Sequence, residues 1–393
     1  MARAATCHKP PFRFIISRMA LIETHVPETA ILAQVVWGSM QPEAAADSLR
    51  ELERLADTAG ITTVGQVTQR RQKPDGATML GEGKVGELRE AVANANANTV
   101  VFDNELNAFQ QHNLAKELGA RVIDRTELIL LIFSRRARSA ESQIQVKLAQ
   151  QEMLLSRIPV IESQQRFRGG DNVRGPGESH LQIRNRPIRK RIAELRQQLE
   201  DIRARAERSR AQRKFPEVCL VGYTNAGKST LLNTLSGADA YVDDRLFATL
   251  DTKTRMLWLA PSRKVLLTDT VGFIRHLPTS LVASFRSTLD VAVQADLLLL
   301  VVDASHPYLR EHIDVCRTTL AQIGAGNVPT LLVLNKCDAE NANETVTHLS
   351  ETEPLAVPVS AHTGYGLENL KTAIAAELQR TSPLWPAPQA VFP

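Results

Sequence analysis

A run of nine residues carries the first chemical signal. Gly222 and Gly227 bracket Tyr223, Thr224, Asn225 and Ala226, and Lys228, Ser229 and Thr230 follow directly. The apolar residues 218–221 ahead of the run read as a buried strand, and Leu231, Leu232 and Leu235 behind it as a helix. Such a loop wraps backbone N–H groups around nucleotide phosphates. The glycines permit close approach, and the positive helix end faces the anion. Lys228 would reach the β- and γ-phosphates, and the Ser229 hydroxyl would hold Mg²⁺. A glycine turn without chemistry is the competing reading, and the strand–loop–helix context argues against it.

Four further signals follow in chain order. Asp269-Thr270-Val271-Gly272 ends an apolar strand; Asp269 would support Mg²⁺ through water, and the Gly272 N–H would sense the γ-phosphate. Phe247-Ala248-Thr249-Leu250-Asp251 lies between, where a Thr hydroxyl completes the metal shell only when the γ-phosphate is present. Thr249 is the first choice for that hydroxyl and Thr252 the second. Loops ordered in this way are the physical basis of a nucleotide switch. Asn335-Lys336-Cys337-Asp338 follows another apolar strand. The Asp338 carboxylate can accept from N1–H and the exocyclic amine of guanine, an edge adenine lacks. Ser360-Ala361-His362 would place a backbone N–H at the guanine oxygen. Five elements in this order point to GTP, with Lys228, Thr249 and Gly272 as the catalytic set.

Two residues qualify that chemistry. Phe273 stands where many GTPases carry a water-positioning glutamine. Phe cannot hydrogen-bond water, so the expected enzyme is slow alone or borrows a group from a partner or from elsewhere in the chain. The Asn225 carbonyl is placed to help hold K⁺ beside the phosphates, or else simply stabilises the loop.

The expected elements fall into three blocks. Residues 21–130 alternate strand-like stretches (31–37, 64–67, 100–102, 122–123) with helical ones (42–59, 84–96, 105–118), an α/β layer. Gly81-Glu82-Gly83-Lys84 resembles a phosphate loop but lacks its spacing and its Ser or Thr, and capping a helix is the alternative. In block 131–214, Ile144, Leu148, Leu155 and Ile158 form one seam, and Ile188, Ile192, Leu195, Leu199 and Ile202 another. That spacing predicts an antiparallel helical hairpin. Its tip, with Arg168, Gly169, Gly170, Arg174, Gly175, Pro176 and Gly177, is too rich in Gly and Pro for regular structure. Block 215–380 is the nucleotide-binding domain, an α/β fold with parallel strands at 218–221, 264–268, 296–302, 329–334 and 357–359. The basic stretch 1–20 and the Pro-rich stretch 381–393 are expected to be loose tails, with Met19 an alternative start.

Composition narrows the setting. The 393 residues carry a net charge of only +4, yet residues 166–214 hold fifteen Lys and Arg against six Asp and Glu. That segment's nine surplus positive charges leave the remainder at −5, which makes it the candidate surface for a polyanion. Four cysteines lie far apart, with no metal-ligand spacing, fitting a reduced cytoplasmic environment. No apolar run is long enough to span a bilayer, and the free chain is expected to be monomeric.

Beyond the generic nucleotide motifs, the chain resembles the HflX family of ribosome-associated GTPases. The likeness rests on Gly81-Glu82-Gly83-Lys84-Val85, Arg121-Val122-Ile123-Asp124-Arg125-Thr126, Gln145-Val146-Lys147-Leu148-Ala149-Gln150 and Arg174-Gly175-Pro176-Gly177-Glu178. Phe247–Asp251 and Asp269–Phe273 match as well, and the order of the three blocks is the family's. The resemblance implies binding to the large ribosomal subunit and its rRNA through the tip, GTP hydrolysis stimulated there, and separation of stalled ribosomes. The chain departs from the family at 159–167 and at Ser179-His180-Leu181-Gln182-Ile183-Arg184.

Two other function classes remain open at this stage. One is an rRNA-binding module in which GTP only sets affinity. The other is a tRNA-modification or ribosome-assembly GTPase, which would bring a partner enzyme or select immature particles. Hydrolysis stimulated by large subunits, together with loss of light scattering from intact ribosomes, separates the leading reading from the first of these.

Overall fold

A computed structural model describes residues 28–38, 40–166, 180–210, 212–237, 245–260, 263–275, 286–342, 346–347, 349, 353 and 355–385. The seven tip residues assigned to rRNA, the basic stretch 1–20 and residues 386–393 lie outside them, as do the side chains of residues 158–184.

The N-terminal layer is a four-stranded parallel sheet of β1 (Glu28–Val36), β2 (Ile61–Arg70), β3 (Thr99–Phe102) and β4 (Arg121–Asp124), in the order β2-β1-β3-β4. Its crossovers are α1 (Pro42–Thr58), α2 (Glu82–Asn94) and α3 (Ala108–Leu118). Proline at the start of α1 gives up no needed donor. Asn107 and Gln110 form a reciprocal capping box on α3, and Gly119 closes it at φ 64°. Gly81 is the N-cap of α2 and its N–H donates to Gln69, so the second glycine-rich stretch starts a helix.

A helix absent from the sequence expectations comes next: α4 (Arg125–Arg136), capped by the Asp124 side chain. Residue 130, where the sequence reading ended the N-terminal domain, lies inside it. Leu128 to Phe133 are all buried, because α4 is packed on several sides at once. A helix of that kind shows no polar face and therefore no 3.6-residue period.

The hairpin follows as α5 (Ala140–Arg166) and α6 (His180–Arg210). Leu148, Ile192, Leu195 and Leu199 form its own apolar cluster, with Ile144, Leu155 and Ile188 packed against it. Arg196 pairs across to Glu152 at 2.8 Å. Val146 and Ala149 on α5 belong instead to the large core shared with the rest of the molecule.

The C-terminal sheet has six strands in the order β10-β9-β8-β5-β7-β6. They are β5 (Glu217–Gly222), β6 (Lys253–Ala260), β7 (Arg263–Asp269), β8 (Leu297–Asp303), β9 (Thr330–Asn335) and β10 (Val357–Pro358). Its helices are α7 (Lys228–Ser236), α8 (Arg286–Val293), α9 (Leu309–Ile323) and α10 (Leu367–Thr381). The sheet is not wholly parallel, since β6 runs antiparallel to β7 along one edge. Four apolar residues in a row, Met256 to Leu259, hide the alternation of that strand, and Met256 and Trp258 stay exposed. The stretch after Thr381 is also firmer than expected as far as Trp385. Trp385 is buried beneath the Arg263 guanidinium, and Ser382 donates to Asp296 at 2.7 Å.

Candidate GTP site

The end of β5 and the start of α7 build the phosphate loop. Gly222 has φ 146°, and a Cβ there would run into the Val301 carbonyl on neighbouring β8, so only glycine fits. Gly227 (φ 87°) is similarly confined by the Asn335 amide. Asn225 is exposed at φ 60°, a left-handed conformation that asparagine tolerates better than most residues. The buried Lys228 Nζ donates to the carbonyls of Gly222 (3.0 Å) and Tyr223 (2.7 Å). Burial pushes its pKa down while Asp269 pulls the other way, and the net direction is down. Thr230 lies in the first turn of α7.

The metal-side groups come from three separate elements. Ser229 Oγ and Thr249 Oγ1 lie 2.8 Å apart, and both reach Asp269 Oδ2, at 2.6 and 2.9 Å. Burial raises the Asp269 pKa against the opposing pull of Lys228 and the two hydroxyls. Asp269 Oδ1 is buried without a hydrogen-bond partner among the described residues. Two hydroxyls and a carboxylate with a spare oxygen are a hard-oxygen donor set that suits Mg²⁺. Thr252, the second choice, is exposed.

The Asp-x-x-Gly segment is zipped to the phosphate loop, for Phe273 N donates to Gly222 O at 3.0 Å and Thr224 N to Phe273 O at 2.8 Å. A Cβ on Gly272 would meet Lys228 Nζ and Thr224 Cα, each at 2.9 Å. Several side chains in these stretches pack into the sheet or the core. The Thr270 hydroxyl donates to Leu220 O inside the sheet, and Val271, Phe273, Phe247 and Leu250 are in the core. Half-buried Ala248 sits beside Thr249. The Asp251 carboxylate turns to the root of the hairpin, accepting from Arg138 N and Ser139 N.

The Asn335 side chain ties the base side to the phosphate side. Asn335 donates from Nδ2 to Ala226 O (2.8 Å) and accepts at Oδ1 from Ala361 N (3.0 Å). Ser360 N donates to Tyr365 O at 3.0 Å, which closes the turn that carries Ala361 and His362. Lys336 (φ 63°) reaches Asp303 at 2.7 Å, and the partly buried Cys337 thiol is pushed up by burial. Asp338 is held below the usual carboxylate range, first by the Ser360 hydroxyl. His362 is exposed, 3.8 Å from that carboxylate.

The sequence reading passed over a second layer of residues. The Tyr223 hydroxyl donates to Glu51 on α1 and accepts from Arg275 N at 2.9 Å. Its ring stacks on His312 at 3.8 Å, and burial pushes that imidazole down to about 3. Arg275 in turn pairs with Asp47 at 2.8 Å. Glu51 also pairs with Arg125, which is buried against Asp103. Lone charged residues on α1 and α4 gave no warning of this network, because its members are far apart in the chain. Asp47, His306 and His312 place ligand atoms within 4.8 Å of one another. Both Asp47 oxygens are already held by Arg50 and Arg275, and His306 Nδ1 accepts from Tyr308 N.

Comparison with known proteins agrees with this geometry. Residues 46–134 match a family described as GTP-binding GTPase N-terminal, 136–213 its middle region, and 217–336 a family described as 50S ribosome-binding GTPase. The GTPase HflX of Caldanaerobacter subterraneus subsp. tengcongensis is 44% identical over 359 residues, covering 89% of this chain and 81% of that one. The GTPase HflX of Escherichia coli K12 is 42% identical over 337 residues, covering 84% and 79%. Among solved structures, a crystal structure of an SsGBP and GDP complex aligns with a TM-score of 0.50 at 26% identity, over 91% of this chain and all of that one. A phosphate loop zipped to Asp-x-x-Gly, a base-reading loop tied to it by Asn335, and identity above 40% along most of the chain lead to one assignment: this is a GTP-hydrolysing enzyme of the HflX family.

Proposed function

We propose that the chain uses its GTP cycle to bind the large ribosomal subunit and to dissociate stalled ribosomes. The observation that carries this reading is the match of residues 217–336 to a family described as 50S ribosome-binding GTPase, joined to a strongly basic hairpin. Fifteen Lys and Arg within 166–214 give a long, positively charged arm suited to rRNA phosphates. In the same reading Arg168, Gly169, Gly170, Arg174, Gly175, Pro176 and Gly177 meet the rRNA. The phosphate loop, Thr249, Gly272 and the 335–338 and 360–362 loops bind the nucleotide. Ser229 and Thr249 ligate Mg²⁺, and Asp269 supports it through water. Bound there, Mg²⁺ would offset charge on the phosphates. The Asn225 side chain is the proposed contact for K⁺.

Sedimentation and light scattering of intact ribosomes with the protein and GTP, GDP or a non-hydrolysable analogue test the proposal. GTP should separate the subunits and GDP should not, and large subunits should raise the hydrolysis rate. Shortening 169–177 should abolish splitting and leave basal hydrolysis intact. Wild-type splitting by the shortened protein would reduce the tip to a connector.

A further inference from the structure

The five residues 247–251 are held at both ends by the helices that lead into the hairpin. Phe247, buried at φ 55°, sets its ring edge-on against Phe133 of α4, with centroids 4.8 Å apart at 84°. Two residues beyond Thr249, Asp251 accepts at Oδ2 from Arg138 N and Ser139 N, both at 3.1 Å, and at Oδ1 from Ser139 Oγ at 2.6 Å. Ser139 in turn starts α5, since its Oγ accepts from Ser142 N at 3.1 Å. Asp251 thus grips the residue that opens the 27-residue helix α5. Between the anchors, Thr249 Oγ1 meets Ser229 and Asp269. Two residues span about 7 Å at most, so Thr249 cannot leave its place without pulling on one anchor or the other.

We infer that Asp251 is a positioning residue for GTP hydrolysis, which with Ser139 at the hairpin root holds Thr249 against the metal side of the site. This rests on the reading of Thr249 as the hydroxyl that joins the metal when the γ-phosphate is present. The N-terminal end of α5 carries partial positive charge, which favours a carboxylate at that spot. Burial would lift the Asp251 pKa, but the Ser139 and Ser142 hydroxyls and the two N–H groups outweigh it and keep the group charged. Coupling of this kind runs both ways. A ligand that fixes the hairpin root favours the seated Thr249, and a γ-phosphate that seats Thr249 stiffens the root.

The test uses the full chain, with single-turnover hydrolysis beside the affinity for a fluorescent GDP derivative. Asp251→Ala should slow hydrolysis about ten-fold and leave GDP affinity within two-fold, because the seat of Thr249 matters only with the γ-phosphate. Asp251→Asn should recover most of the rate, since asparagine caps a helix about as well as aspartate. Ser139→Ala keeps both backbone N–H contacts, loses only the hydroxyl, and should slow hydrolysis about three-fold. Added to Asp251→Ala it should bring little further loss, as expected of two groups in one contact. Wild-type hydrolysis by Asp251→Ala, or equal loss of GDP and GTP binding, overturns the inference. The two levels separate cleanly. Normal hydrolysis by Thr249→Ala would remove the reading of Thr249 itself, whereas a dead Thr249→Ala beside a normal Asp251→Ala removes only the role given to Asp251.

Discussion

The phenol of Tyr223, second residue of the phosphate loop, donates its proton to Glu51 in the first helix of the N-terminal layer. A residue that belongs by motif to the nucleotide is thus also the point where two layers meet. Tyr223→Phe keeps the ring stacked on His312 but leaves Arg275 N and Glu51 each short of a partner. Stability should fall by about 1–3 kcal/mol, read as a lower urea midpoint with an unchanged slope.

The Arg125 network makes stability depend on acid in a definite sense. Burial lifts the Asp103 carboxyl, but the Arg125 guanidinium and its hydrogen bonds, with Ser48 and Gln34, outweigh that and set it below its ordinary value. A depressed carboxylate stabilises the fold above its unfolded pKa of about 3.9 and loses that contribution as pH falls through the folded value. Arg125→Met should cost about 3–5 kcal/mol by leaving Asp103 and Glu51 without their cation. It should also reverse the sign. With the guanidinium gone, burial is opposed only by the Ser48 and Gln34 hydrogen bonds and Asp103 rises, so the variant gains stability on mild acidification where the parent does not. Urea midpoints from pH 7 to pH 4 decide this, and parallel curves for the two proteins would refute it.

At the metal side, Ser229→Ala and Thr249→Ala should both reduce Mg²⁺-dependent hydrolysis by at least ten-fold. They should part company with GDP. Ser229→Ala weakens it when Mg²⁺ is present, and Thr249→Ala spares it. Equal loss in the two variants would put the γ-phosphate-dependent hydroxyl elsewhere.

Asp338→Asn should weaken GTP by roughly 2–5 kcal/mol, the scale of a charge-assisted pair lost from a binding site. It should favour xanthosine triphosphate, whose base presents an acceptor where guanine presents a donor. Unchanged GTP affinity would take Asp338 out of the base site.

Much of this was legible because phosphate and base recognition are written in short, contiguous stretches. Gly222 to Ser229, Asp269 to Gly272 and Asn335 to Asp338 each sit at a strand end, where spacing alone fixes their mutual placement. The seams of the hairpin were readable for a similar reason, as Leu148, Ile192, Leu195 and Leu199 repeat at helical intervals. What escaped was long-range or aperiodic. Helix α4 is wrapped by neighbours and shows no polar face, β6 runs four apolar residues together, and Glu51, Arg125 and Arg275 find each other only in three dimensions. Asp251 shows the limit well. Its motif pointed to the nucleotide, while its carboxylate answers to helix-terminal N–H groups more than a hundred residues earlier in the chain.

The edge-to-face pair of Phe133 and Phe247 lies within one apolar cluster that extends from Leu32 and Leu52 through Ile129 and Val146 to Val221, Phe273 and Leu300. Elements that the sequence divides into blocks should therefore melt together. A calorimetric scan of the full chain should show one cooperative transition, not a separate peak for each block. Cutting the chain after α4 would turn Phe247 and Leu250 outward, and the remaining enzyme would be prone to associate through that newly bared face.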